Sequence, residues 1–153
     1  MTTPVHATSI DPAGGRVTTR FGEFEADPGD LLHFPQGLPG FEHCQRFILL
    51  SSDEIRPLQC LHAVDGPPAS FLVLDPRLVL PAYRCVLRDA DRAALNATTG
   101  APLVWLALVT VAQDGAATVN LRAPIVINPA GMIGLQVVPQ DSLYPLRHQL
   151  VTD

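Results

Sequence analysis

Leu103-Val104-Trp105-Leu106-Ala107-Leu108-Val109-Thr110-Val111 decides how this chain folds, because no polar residue interrupts it before Thr110. A strand with one face in water alternates apolar and polar residues, so an unbroken run predicts a strand covered on both faces, as in a closed or doubled-over sheet. Asp114-Gly115 follows, a pair that tolerates the positive φ of a tight hairpin turn, and a second apolar run at 118–127 returns from it.

Outward from this hairpin the chain repeats the pattern in shorter form. Apolar runs at 31–34, 47–50, 71–74, 83–87 and 135–138 stand between breakers, and 15 prolines and 11 glycines leave little room for long helices. Asp65-Gly66, followed by Pro67-Pro68, is a second turn signal, joining 58–64 to 71–74. Only residues 89–95 read as helical, with Asp89 as the expected N-cap. One short helix cannot supply parallel crossovers. The expectation is an all-β, mainly antiparallel pseudo-barrel with one short helix. Residues 1–15, ending in Gly14-Gly15, read as a mobile N-terminal tail and 16–153 as a single domain.

Composition narrows the function. A chain of 153 residues can bury about 70% of its unfolded surface without disulfides or metals. Charged residues make up 16%, against about 25% in typical domains, which leaves a rather apolar surface suited to partners. The net charge of −5 argues against direct nucleic-acid binding, which relies on clustered Lys and Arg. All basic residues are arginines, so lysine-dependent Schiff-base and P-loop chemistry is excluded. Cys44, Cys60 and Cys85 are too few and odd in number for a disulfide framework, and read as reduced thiols in the cytoplasm. No segment has the shape of a signal peptide or the ~20 apolar residues of a membrane helix.

The search for chemistry finds little. No Gly-x-Ser-x-Gly presents a serine nucleophile, and all three cysteines lie in or beside apolar runs, where they act as small hydrophobes. Cys60 and His62 would share a face of a strand, but His43 and Cys44 would point apart, so the spacing is poor for a zinc site and neither a metal nor a cofactor is expected. Gly37-Leu38-Pro39-Gly40 has the Gly-x-x-Gly spacing of an RNA-clamping loop, yet it follows a strand-like segment and reads as a rigid turn. Glu23, Glu25, Asp27 and Asp30 form an acidic cluster that can attract a basic protein.

Three segments carry more specific information: Phe34-Pro35-Gln36-Gly37-Leu38-Pro39-Gly40-Phe41-Glu42, then Val73-Leu74-Asp75-Pro76 with Tyr83, then Asn120-Leu121-Arg122-Ala123-Pro124-Ile125-Val126-Ile127-Asn128. Gly134-Leu135-Gln136-Val137-Val138, Asp141, Tyr144, Arg147 and Leu150 follow. In order and spacing this resembles the flagellar assembly factor FliW family from about Thr18 to Leu150. Departures are Leu61-His62-Ala63 where the family often has Leu-Gln-Ser, Leu58 in place of an aromatic residue, and the long segment before Arg16.

The resemblance implies a pseudo-barrel without enzymatic activity that binds the translational repressor CsrA and newly made flagellin; the expected location is the cytoplasm and the expected state a monomer. Flagellin awaiting export would occupy the protein and leave CsrA free to repress flagellin translation; once flagellin is secreted, the protein would hold CsrA instead. Candidate contact residues are Glu23, Glu25 and Asp27; Phe34, Gly37, Leu38, Pro39, Gly40 and Phe41; and Asn120, Pro124, Asn128, Tyr144 and Arg147. The competing readings are a small β-barrel nucleic-acid binder and a Cys/His zinc protein.

Overall fold

The computed structural model describes residues 15–65 and 69–150. Its strands are β1 (Gly15–Thr19), β2 (Gly22–Ala26), β3 (Leu31–His33), β4 (Arg46–Leu50), β5 (Gln59–Ala63), β6 (Ala69–Leu74), β7 (Val104–Val111), β8 (Ala117–Val119), β9 (Ile125–Asn128), β10 (Ile133–Gln136) and β11 (His148–Leu150), with one helix, α1 (Asp89–Ala94). Strands β7-β6-β5-β4-β3-β10-β9 neighbour one another in that order, and β9 pairs back onto β7, so seven strands close a barrel. Every pairing around it is antiparallel except β3 with β10, which is parallel and short: His33 opposite Ile133.

The long apolar run behaves as its lack of alternation predicts. Leu106 belongs to the cluster formed with Phe34, Phe47, Leu61, Val73 and Ile125, where Leu108 also packs. Ala107 and Val109 lie in a second cluster with Leu72, Tyr83 and Leu121, and Trp105 packs against a third with Leu95, Val126 and Leu135. The turn at Gly115, with φ of 89°, sends the chain back as expected, but the returning run divides. Val119 pairs with Val109 and Ile125 with Leu106, so β8 and β9 flank different parts of β7. Between them the Asn120 side chain accepts hydrogen bonds from the Arg122 and Ala123 N–H groups, building a turn where the run looked continuous.

Outside the barrel, β1 and β2 form a separate antiparallel hairpin that lays Val17, Phe24 and Ala26 on Ile48, Leu50 and Cys60. The helix covers β9 and β10 through Leu95. Its N-cap is Arg88, one position earlier than the Asp89 cap the sequence suggested, and Asp89 is the first helical residue. Asp91 is the reason: its carboxylate accepts from the Arg88 N–H at 3.1 Å, satisfying the cap from inside the first turn. Gly15 opens β1, one residue before the expected domain boundary, and the rest of the expected tail lies outside the described residues, as does the turn at Gly66 to Pro68.

Candidate partner-binding surface

Two tyrosines organise the candidate cleft. Tyr83 and Tyr144 stack with ring centroids 4.5 Å apart, and the buried Tyr83 hydroxyl donates to the Leu121 carbonyl at 2.8 Å. The Tyr144 hydroxyl accepts from the Arg84 N–H, while its carbonyl accepts from Arg122 Nε at 2.8 Å. Irregular segments before α1 and after β10 are thereby pinned to the β8–β9 turn. Between them opens a cleft of about 530 Å³ lined by Cys85, Val86, Arg88, Val137, Leu143 and Tyr144 among others.

The cleft exposes apolar side chains that packing cannot explain. Leu143 is 96% exposed and Val86 79%, with Val138 and Leu146 nearby in sequence also more than half exposed. Exposed aliphatic groups gathered around a concavity mark a contact surface far better than single ones do. Arg88 is held in place by Asp91, which receives its Nε and Nη2 at 3.3 and 3.2 Å. Burial works to raise the Asp91 carboxyl, but the Arg88 side-chain and backbone hydrogen bonds prevail and hold it below the usual carboxylate range.

The acidic candidates form a second surface. Glu23 and Glu25 point outward from β2 while Phe24 and Ala26 point in, and Asp27 and Asp30 are exposed just beyond. The pleat separates them because successive side chains take opposite faces. Arg16 on β1 reaches Glu23 at 3.2 Å, so this face is not wholly anionic as the linear cluster implied.

The loop after β3 is partly structural. Phe34, Gly37 and Leu38 are buried, whereas Pro39 and Gly40 are exposed and Phe41 is half-buried, edge-on to Phe71 at 5.1 Å. Gly37 has φ of 63°, and a Cβ there would stand 2.6 Å from the Phe41 carbonyl oxygen. Glu42 accepts from the Gly40 N–H, a bond that holds its carboxyl below the ordinary value. The loop runs from β3 to β4, whereas the Gly-x-x-Gly loop of an RNA clamp lies between helices.

Segment 120–128 offers less surface than its sequence suggested. Pro124 is buried and its carbonyl accepts from the Val137 N–H. Asn128 is buried and donates to the Leu95 carbonyl at 2.8 Å, tying α1 to the barrel. Phe34, Leu38, Pro124 and Asn128 are therefore packing and tethering residues in this conformation, and Asn120 shapes a turn. Tyr144 lies in the cleft and Arg147 is exposed.

Cys60 and His62 do share one face of β5, but His43 and Cys44 do not join them: Cys44 is buried in the barrel and donates to the Asp65 carbonyl. Among the described residues no group of three His, Cys, Asp or Glu side chains could hold a metal ion. Burial pushes all three thiols up, which makes them poor nucleophiles. Among the described residues no helix is long and apolar enough to cross a membrane.

A family model described as FliW protein matches residues 16–150. This chain belongs to the FliW family. It is 39% identical to the flagellar assembly factor FliW of Geotalea uraniireducens over 132 residues, covering 86% of this chain and 80% of the relative. It is equally 39% identical to FliW of Moorella thermoacetica, over 88% and 86% of the two chains. A crystal structure of the flagellar assembly factor FliW superposes with a TM-score of 0.80 at 31% identity, covering 91% of this chain and 99% of the other. FliW proteins are flagellar assembly factors, and the barrel with its two irregular segments is thus this family's fold.

Missed by the sequence reading were Val86 and Leu143, which sit in Pro- and Arg-rich segments without periodicity, and the contact between His62 and Ser70 described below. Two aliphatic residues, Leu143 and Leu146, in an otherwise polar stretch were the available signal.

Proposed function

We propose that this FliW family member is a non-enzymatic partner switch in the cytoplasm, binding flagellin and the translational regulator CsrA in turn. The observation that carries this reading is the pairing of two unlike surfaces on one family fold: an apolar cleft around Leu143 and Val86, and an acidic face at Glu23, Glu25, Asp27 and Asp30. Flagellin termini are amphipathic helices, and such helices dock by laying an apolar face into a groove. CsrA grips RNA phosphates and is accordingly basic, so it suits the acidic face, where complementary charge speeds encounter. Flagellin held in the cytoplasm would leave CsrA free to repress; exported flagellin would release the protein to sequester CsrA.

The test is affinity capture from the cytoplasm of a flagellated host carrying the matching flagellin and CsrA. The switch reading predicts that flagellin is recovered before export and CsrA after flagellin is depleted. Capture of neither, with the protein folded, contradicts it.

A further inference from the structure

A smaller pocket, of about 380 Å³, lies where the β1–β2 turn meets β5, β6 and the loop after β3; Thr19, Arg20, Phe41, His62, Ser70 and Phe71 line most of it. His62 is 1% exposed. Its Nδ1 stands 2.6 Å from Ser70 Oγ, while its Nε2 has no hydrogen-bond partner among the described residues. Buried polar atoms without partners are uncommon and call for an explanation. With the Ser70 hydroxyl assigned as donor to Nδ1, the ring proton resides on Nε2. Burial favours the neutral ring, which keeps this single-proton arrangement. Nε2–H is thus a buried donor on a pocket-lining residue, with no acceptor among the described residues.

Arg20 adds charge. Its Nη2 donates to the Ser70 carbonyl at 3.1 Å, which leaves the rest of an exposed five-donor guanidinium for another group. No Asp or Glu stands among the described residues lining the pocket. Phe41 and Phe71 supply an apolar wall.

We infer that this pocket binds a carboxylate carried on a short apolar or aromatic body, its oxygens accepting from His62 Nε2–H and Arg20 while the body lies on Phe41 and Phe71. Charge-assisted bonds from a guanidinium and an imidazole N–H distinguish a carboxylate from an amide or alcohol of the same shape. The group occurs on free arylalkyl acids and at the C-terminus of a polypeptide. This site is separate from the Leu143 cleft, so its failure would leave the partner-switch reading untouched.

The experiment is an NMR titration following the His62 imidazole ¹⁵N–¹H signal. Probes are 3-phenylpropionate against 3-phenylpropanol, for a free acid, and N-acetylphenylalanine against its amide, for a chain end. A saturable shift is expected, with each acid that binds at least about tenfold tighter than its neutral counterpart, the mark of a charge-assisted contact. Binding of N-acetylphenylalanine alone assigns a chain end; binding of 3-phenylpropionate extends the site to free acids. Arg20→Gln should weaken binding about tenfold while the protein still folds, despite the lost bond to the Ser70 carbonyl. No saturable shift with either acid, equal binding of acid and neutral probes, or unchanged affinity in Arg20→Gln overturns the assignment.

Discussion

Phe34 and Gly134 meet face to face inside the barrel: a Cβ on Gly134 would overlap the Phe34 ring. The two residues sit at the β3–β10 seam, where one parallel pairing, His33 with Ile133, closes the ring of strands, supported by the bond from the His33 N–H to the Met132 carbonyl. Gly134→Ala must push a fully buried aromatic ring into packed neighbours, so it should cost about 1–3 kcal/mol or more. Chemical denaturation measures it; an unchanged midpoint would show that the seam can relax.

The two glycines of the loop after β3 should separate in the same assay. Gly37→Ala suffers both a positive φ and a backbone collision, whereas Gly40→Ala, at φ of 85°, meets open space. Gly40→Ala is expected to cost about 1 kcal/mol from backbone strain alone, and Gly37→Ala clearly more. Equal effects would contradict the collision.

Asn128 tethers α1, so Asn128→Leu leaves the Leu95 carbonyl without its buried donor. A loss of about 1–3 kcal/mol is expected, together with faster amide exchange in 89–95 than in the barrel strands. Uniform exchange across the fold would rule out a local tether.

Much of this architecture was legible in the sequence. The unbroken run at 103–111 announced a strand covered on both faces, and the glycine at 115 announced its turn. The division of 118–127 into two strands was not legible, because Asn120 makes its turn through side-chain bonds that no apolar pattern records. The site was legible only in part. Motif residues such as Phe34, Pro124 and Asn128 proved to be buried, since a distinctive motif can reflect packing as readily as contact. Val86 and Leu143 carried no motif at all; what marks them is exposure, which exists only once the chain is folded.

His62 should leave a pH signature. Burial lowers its pKa in the folded state below the ordinary 6.5, so below that pH the unfolded chain binds the extra proton more readily. The stability contributed by neutral His62 is present above about pH 6.5 and is lost as pH falls toward the folded value. Denaturant midpoints of the parent should drop between about pH 7.5 and about pH 5.5 by more than those of His62→Gln. An identical drop in both would place the proton uptake elsewhere.

Leu143→Ser should change stability by no more than about 0.5 kcal/mol, because the side chain is almost wholly exposed. Flagellin binding should nevertheless weaken measurably, and most of that loss should appear in the dissociation rate. Unaltered flagellin affinity would remove the cleft from the partner surface.

The central claim, one protein switching between an apolar and a charged partner, is tested most directly by calorimetric titration of flagellin and CsrA at low and high salt, each alone and with the other saturating. CsrA binding should weaken with salt far more than flagellin binding, and Glu23→Ser, Glu25→Ser and Asp27→Ser together should flatten that dependence. Each partner should lower the affinity of the other by the same factor, as linkage requires. A stable ternary complex with both affinities unchanged would contradict the switch.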